Sequence, residues 1–200
     1  MFRSPKILQW LYPSRVWGIS VSDKSLYLTF DDGPDPEITP WILDFLKKEK
    51  ITATFFCVGA NVQKNFPIYE RILEENHQVG NHCMYHDNGF KVKDEAYLNS
   101  VKEASKLIPS NLFRPPYGRL KRSTERKLPK QLKVIMWSWL SYDYDEKVSI
   151  QKIIRASKHI QAGDILVFHD NKKTQARLKE ILPPIVKVLK EKGFEFKVLN

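Results

Sequence analysis

The sequence predicts an α/β fold on a parallel sheet, and its count of repeating units favours an incomplete seven-unit barrel over an open sheet. Three observations carry this. Strand-length apolar runs alternate with helical patterns along the whole chain, the arrangement that produces right-handed βαβ crossovers. The runs are apolar on both faces, as a sheet covered by helices requires. And 200 residues are few for eight βα units, which typically take about 250. An open sheet remains compatible with the same pattern.

Taken in order, Leu26-Tyr27-Leu28 reads as a first buried strand running into Thr29-Phe30-Asp31-Asp32-Gly33-Pro34, where Gly-Pro forces a turn. Ile38, Trp41, Ile42, Phe45 and Leu46 have helical spacing, with Thr39 as N-cap and Pro40 at the first helical position. Residues 52–58 form a second strand ended by Gly59, and a short helix through Tyr69, Ile72 and Leu73 leads to a third strand at 78–81. Tyr97, Val101, Ala104 and Ile108 mark a helix, and Leu112-Phe113-Arg114 a brief strand stopped by Pro115-Pro116. Lys133 to Leu140 reads as a fifth strand, Ile150 to Ile160 as a helix and Ile165 to Phe168 as a sixth strand. A last helix is expected to restart at Pro184, because Pro183-Pro184 breaks a longer one, and to end at Gly193 before a seventh strand over 194–199.

No repeat or flexible linker divides the chain, so one catalytic domain over 26–200 is expected, with residues 1–25 as an N-terminal extension packing on it. No apolar run reaches the roughly 20 residues of a membrane span, and Pro5 and Pro13 interrupt the N-terminus, which lacks the apolar stretch and small-residue site of a signal peptide. The expectation is a monomer without an integral membrane segment, cytoplasmic by default and with export left open. Two cysteines are too few for a disulfide framework. The net charge of +10 concentrates between Arg119 and Lys133, with only Glu125 against seven cations. This reads first as a solubilising face and second as a surface for an anionic polymer. Nucleic acid is not expected, because no aromatics are interleaved for base stacking.

The chemistry gathers where parallel sheets bind ligands, at the carboxyl ends of the strands. Asp31-Asp32, His82 to His86, Arg114 to Gly118, Tyr142 to Asp145 and His169-Asp170 all fall there, including three of the chain's five histidines. Adjacent residues at a strand end point opposite ways, so Asp31 and Asp32 can serve a metal and a water or substrate separately. His82 and His86, four apart, share a face if they lie on a helical turn, and with one carboxylate they make a three-ligand site open to water and substrate. Such donors suit Zn²⁺ and also Co²⁺, Ni²⁺ or Fe²⁺. Cys57, His77 and His159 match no such pattern and read as structural.

In chain order, Thr29-Phe30-Asp31-Asp32-Gly33-Pro34, His82-x₃-His86, Arg114-Pro115-Pro116-Tyr117, Asp143 and Leu166-x-x-His169 resemble the polysaccharide deacetylase family, the NodB-homology group or carbohydrate esterase family four. The resemblance covers nearly the whole chain from residue 26. It implies a distorted, incomplete (β/α)₇ barrel with a parallel sheet and a divalent metal, Zn²⁺ foremost, on Asp32, His82 and His86. It further implies Asp31 as general base paired with Arg114, the Tyr117 backbone N–H facing the oxyanion, and His169 as general acid held by Asp143. The implied activity is hydrolysis of N-acetyl groups on acetylated amino sugars or their glycans. An O-acetyl esterase, or a non-catalytic glycan-binding protein on the same fold, are the alternatives. Three positions leave the family pattern: Cys83 stands where Ser or Thr is usual, and Leu140 and Tyr144 replace the Asp and Trp of an Asp-x-x-Asp-Trp motif.

Overall fold

A computed structural model describes residues 2–200. Its strands are β1 (Ser25–Asp31), β2 (Thr54–Cys57), β3 (Gln78–Asn81), β4 (Leu112–Phe113), β5 (Lys133–Val134), β6 (Trp139–Leu140), β7 (Ile165–His169) and β8 (Glu195–Phe196). The helices are α1 (Lys6–Leu11), α2 (Ile38–Glu49), α3 (Gly59–Lys64), α4 (Phe66–Glu74), α5 (Asp94–Leu107), α6 (Arg122–Glu125), α7 (Ile150–Ser157) and α8 (Gln175–Glu191). Seven strands lie in the order β5-β4-β3-β2-β1-β7-β6 and every ladder is parallel, while β8 pairs with the start of β1. This is the incomplete seven-unit barrel that the count of elements favours, and the distorted (β/α)₇ form that the family resemblance implies.

The central strand is β1, buried at all seven positions. Leu26, Leu28 and Phe30 on one side enter the main core with α2 and α8, through Ile42, Leu46, Leu182 and Val186. Tyr27 faces a separate apolar cluster with Phe56, Leu112 and Ile165 inside the barrel. Burial on both faces explains why the run shows no polar alternation.

The fold departs from the sequence expectations in three places. Lys133 to Leu140 is not one strand: β5 and β6 lie at opposite ends of the sheet, and residues 135–138 cross the gap between them. The reason is hydrogen bonding. Val16 N donates to Val134 O at 2.8 Å, Met136 N to Val16 O at 2.7 Å, Ser4 N to Ser138 O at 3.0 Å and Leu140 N to Phe2 O at 2.8 Å. N-terminal residues thus take the bonds this stretch offers on its side away from β4 and β7, as backbone polar groups there require.

Second, α8 runs unbroken through Pro183 and Pro184. Its buried stripe of Leu178, Ile181, Leu182, Ile185, Val186 and Leu189 contributes roughly 1.5–3 kcal/mol per side chain. That outweighs the cost of about 3 kcal/mol per interior proline. Third, Thr39 is not the cap of α2. Asp35 Oδ1 accepts from Glu37 N and Ile38 N at 2.9 and 3.0 Å, and the Thr39 hydroxyl turns inward to Asp170 Oδ2 at 2.7 Å. An inward hydroxyl with a buried acceptor beats a local cap whose donors a neighbouring Asp already serves.

Candidate metal centre and active-site cleft

The register of the sheet brings the sequence-predicted residues together. Asp31 at the end of β1 is level with His169 at the end of β7, and Asn81 of β3 is level with Phe113 of β4, which puts His82 and Arg114 side by side. Asp143 follows β6, on the far side of β7. A cleft of about 900 Å³ opens over these ends and is lined by Asp31, Asp32, His82, His86, Tyr117 and His169.

Asp32, His82 and His86 present ligand atoms all within 4.8 Å of one another. Asp32 Oδ1 is 3.6 Å from His82 Nε2 and 3.0 Å from His86 Nε2. The two rings do not converge on a helical turn, as the four-residue spacing suggested. Residues 82–86 are a loop in which Cys83 and His86 take left-handed φ of 63° and 56°. His82 Nδ1–H donates to the Arg114 carbonyl at 2.7 Å, which fixes the tautomer and leaves Nε2 as a lone-pair donor toward Asp32. The loop itself is tied by Asp87, whose carboxylate accepts from the Ser100 hydroxyl, while that hydroxyl accepts from Met84 N at 2.9 Å.

Burial pushes the Asp32 carboxyl up, but the facing imidazoles and His169 hold it well below the usual carboxylate range. Its Oδ2 accepts from Asn171 Nδ2 at 2.7 Å, whereas the buried Oδ1 accepts no hydrogen bond. A buried anionic oxygen without a donor, aimed between two imidazole nitrogens, is what a divalent cation satisfies. The residues therefore fit a metal, held by Asp32, His82 and His86.

Asp31 faces a different partner. Its Oδ1 lies 2.6 Å from Arg114 Nη1, and that guanidinium is wholly buried. The same Nη1 donates to Thr29 Oγ1 at 2.7 Å, Nη2 to Met136 O at 3.0 Å and Nε to Ile135 O at 3.3 Å. The plane stacks on Phe56 at 4.0 Å. Burial lowers the Arg114 pKa and Asp31 opposes the fall; the guanidinium has Nε, Nη1 and Nη2 all engaged and sits in a close ion pair with the Asp31 carboxylate.

On the opposite wall, Asp143 holds His169 by both oxygens, with Oδ1 on Nδ1–H and Oδ2 on the backbone N–H, each at 2.7 Å. Burial disfavours the imidazolium, but Asp143, reinforced by Asp32 and Asp31, raises its pKa to about 10. Asp143 is fully buried, and its own carbonyl accepts from Arg177 Nε at 3.0 Å. The free edge of the His169 ring is left to the cleft.

The three departures have distinct environments. Cys83 packs with Tyr97, Val101 and Phe113, and burial lifts its thiol to about 12, so it is a neutral packing residue outside the ligand set. Tyr144 meets His169 edge-on at 5.2 Å between ring centroids. Leu140 lines the cleft with Val167 and Trp137. Tyr117 takes a left-handed φ of 60° and lays its ring 4.6 Å from His86. Non-glycine residues at positive φ are uncommon. Of the seven among the described residues, Asp32, His86 and Tyr117 line the cleft, and Cys83 and Tyr142 directly adjoin His82 and Asp143 in the chain. Functional sites are where such strain concentrates.

Three supporting residues carried no sequence signal strong enough to assign them. Asn171 orients Asp32. Asp170 accepts from Gly33 N at 2.8 Å and from the Thr39 hydroxyl, fixing the turn after the two acids. Burial, with Asp32 and Asp31 nearby, raises the Asp170 carboxyl well above its ordinary range. Thr29 donates to Leu166 O at 2.7 Å and accepts from Arg114. The position of Asp170 directly after His169 at a strand end is the one available hint. His77 and His159, read as structural, lie apart from the cleft: His77 Nδ1 accepts from Ala53 N at 3.2 Å, and the His159 carbonyl accepts from Arg3.

Comparison with known proteins gives a consistent picture. Residues 18–136 match the family described as Polysaccharide deacetylase. The chain is 31% identical over 188 residues to a peptidoglycan-N-acetylglucosamine deacetylase of Bacillus cereus, covering 90% of this chain and 88% of that protein. It is 31% identical over 189 residues to the peptidoglycan-N-acetylglucosamine deacetylase PgdA of Listeria monocytogenes, but spans only 39% of that longer protein. Among solved structures, a peptidoglycan N-acetylglucosamine deacetylase in complex with 4-naphthalen-1-yl-N-oxidanyl-benzamide superposes with a TM-score of 0.85. It is 28% identical, with 98% of this chain and 95% of that one covered.

Proposed function

The chain belongs to the polysaccharide deacetylase family, and from that premise we propose that it removes N-acetyl groups from N-acetylglucosamine-type sugars of a peptidoglycan-like glycan. As a member of the family it is a deacetylase, a hydrolase of carbon–nitrogen bonds other than peptide bonds. The observation that carries the residue assignment is the pairing of Asp31 with Arg114 on one side of the Asp32–His82–His86 cluster and of His169 with Asp143 on the other.

An amide carbonyl is a weak electrophile and water a weak nucleophile. Asp32, His82 and His86 would hold a divalent ion, Zn²⁺ foremost, whose positive charge would polarise the carbonyl and acidify water. Asp31, paired with Arg114, takes the proton of the attacking water. The Tyr117 backbone N–H would face the oxygen on which negative charge develops. His169 enters protonated, its Nδ1–H engaged by Asp143, and gives its Nε2 proton to the departing amine. Base and acid occupy opposite walls, so one proton is taken and another delivered in one turnover without either residue changing place. Val167, Leu140 and Tyr144 form an apolar wall for the acetyl methyl.

The relatives' names support the choice of glycan, since both are peptidoglycan-N-acetylglucosamine deacetylases. Acetate release from an acetylated chito-oligosaccharide and from peptidoglycan fragments, with and without chelator, tests the reading. Release that stops on chelation and returns with Zn²⁺ supports it. Release only from O-acetylated glycans, or from none, overturns it.

A further inference from the structure

We propose that the face formed by α1 and the basic segment around α6 docks on the surface of an anionic lipid bilayer, with the catalytic cleft opening beside it. Docking does not depend on the deacetylase reading; the placement of substrate next to the bilayer does.

The first observation is an apolar helix presented to solvent. No residue of α1 is buried; Ile7 is 63% and Trp10 78% exposed, with Leu8 and Leu11 also exposed. A six-residue helix does not persist in water on its own propensity, so its flanks must hold it. Upstream, Ser4 bonds the Ser138 and Trp137 carbonyls, and Phe2 stacks on Trp139 at 6.0 Å. Downstream, the guanidinium groups of Arg15 and Arg122 lie over the Tyr12 ring, at 4.1 and 4.8 Å. Arg122 Nη2 also donates to Leu11 O at 2.7 Å. The chain thus fixes at both ends a helix whose large apolar side chains are in water, an arrangement that marks an interaction surface.

The second observation is charge. Arg122, Arg126 and Lys130 are exposed and share a hollow with Leu11 of that helix; Lys127, also exposed, lies 3.7 Å from Asp94. The segment's only acid, Glu125, is taken by Arg15 at 2.6 Å. Between α1 and α6 lies a hollow of about 490 Å³, with Leu11, Leu128 and Leu132 among its lining and Arg122, Arg126 and Lys130 beside them. Apolar surface under a cationic rim suits an amphiphile that carries a phosphate above hydrocarbon. A soluble polyanion would use the cations but leave Ile7 and Trp10 in water. A bilayer uses both, and Trp is the residue that favours its interface.

The surface continues toward the site. Leu8 and Phe90 border a second hollow of about 480 Å³, and Tyr117, Trp137 and Leu140 line both that hollow and the cleft. Docking through α1 would therefore present the cleft to sugars held at the membrane surface.

The test is co-sedimentation of the full chain with vesicles of about 30% phosphatidylglycerol in phosphatidylcholine, against phosphatidylcholine alone. Binding to the anionic vesicles that weakens with added NaCl is expected. Ile7→Ser with Trp10→Ser should weaken it by tenfold or more, and Arg126→Gln and Lys130→Gln by about fivefold each. The Ile7/Trp10 variant should keep the parent's thermal melt and its acetate release from a soluble oligosaccharide. Absence of binding to the anionic vesicles would overturn the proposal. So would binding that the Ile7/Trp10 variant retains in full, which would assign the face to polyanions. Vesicle binding without acetate release from any glycan would leave the docking surface standing and remove the deacetylase reading instead.

Discussion

Asp143→Asn isolates the acid half of the proposed mechanism. The variant keeps the shape of a fully buried side chain while removing the anion that touches His169 twice at 2.7 Å. Burial works against the His169 imidazolium, and Asp143 is the foremost group reversing it, to a pKa of about 10. Without that anion the imidazolium faces burial with only the more distant Asp32 and Asp31 in support, and its pKa falls to the ordinary value near 6.5 or lower. The protonated fraction then drops about fourfold at pH 7 and roughly 30-fold at pH 8, and hardly at all at pH 5. A bound cation offsets the contribution of Asp32, so the alkaline limb of the metal-loaded parent lies below 10 yet well above that of the variant. The assay is kcat for acetate release at saturating metal from pH 5 to 9.5. A variant with an unmoved alkaline limb refutes the assignment of His169 as an acid tuned by Asp143. Stability gives an independent readout in metal-free protein. A raised folded-state pKa stabilises fully below the unfolded value near 6.5 and fades as pH climbs toward 10. The parent's advantage over Asp143→Asn in urea should therefore be largest below pH 6.5, on the order of 3–5 kcal/mol, and shrink above it.

Further outcomes follow from the other pairs. His82→Ala and His86→Ala should each lose the metal by elemental analysis with the fold retained by circular dichroism, whereas Asp31→Asn should retain metal and lose turnover. Arg114→Met strands the buried Asp31 carboxylate and should cost about 3–5 kcal/mol in urea unfolding; pairing it with Asp31→Asn should recover part of that loss, and a purely additive double variant would contradict the buried pair. Gly33→Ala places a Cβ 1.9 Å from Asp170 Oδ2 and should weaken metal binding measured by competition with a chromophoric chelator, since the turn that aims Asp32 must shift. Burial lowers His77 to about 4, so the unfolded chain binds the extra proton first and stability should fall as pH drops from about 6.5 toward 4; a His77→Gln variant, which lacks the proton, should show a shallower fall over that window.

Much of the fold was legible because parallel strands advertise themselves as doubly apolar runs. Ile165 to Phe168 and Thr54 to Cys57 needed no tertiary information. What failed was decided by long-range partners. Nothing between Lys133 and Leu140 announces that Val16 and Phe2 will take its hydrogen bonds, so one apolar stretch read as one strand. Pro183-Pro184 read as a break because the rule is local, while the buried stripe that overrides it is a property of the packed helix. Thr39 read as a cap for the same reason, although Asp170, more than a hundred residues away, claims its hydroxyl.

The site follows the same division. Each proposed site residue was visible because its type and its place at a strand end coincided: acids at the end of β1, histidines after β3 and at the end of β7, a cation after β4. How they act together depends on contacts no spacing encodes. The four-residue step between His82 and His86 suggested a helical turn, yet the rings converge through two left-handed residues. Arg114 does two jobs in the folded site: its side chain pairs with Asp31, and its carbonyl sets the His82 tautomer. The proposed base and metal ligand are therefore tied to one residue, and a change that moves the Arg114 backbone should reach both. Arg114→Lys keeps the positive charge and, from the backbone, the carbonyl, but cannot reproduce the fork that reaches Asp31, Thr29, Ile135 and Met136 at once. It should retain metal affinity within severalfold while losing turnover severely. Equal losses of both would show that the carbonyl's position, and with it the His82 ring, depends on the guanidinium's bonds.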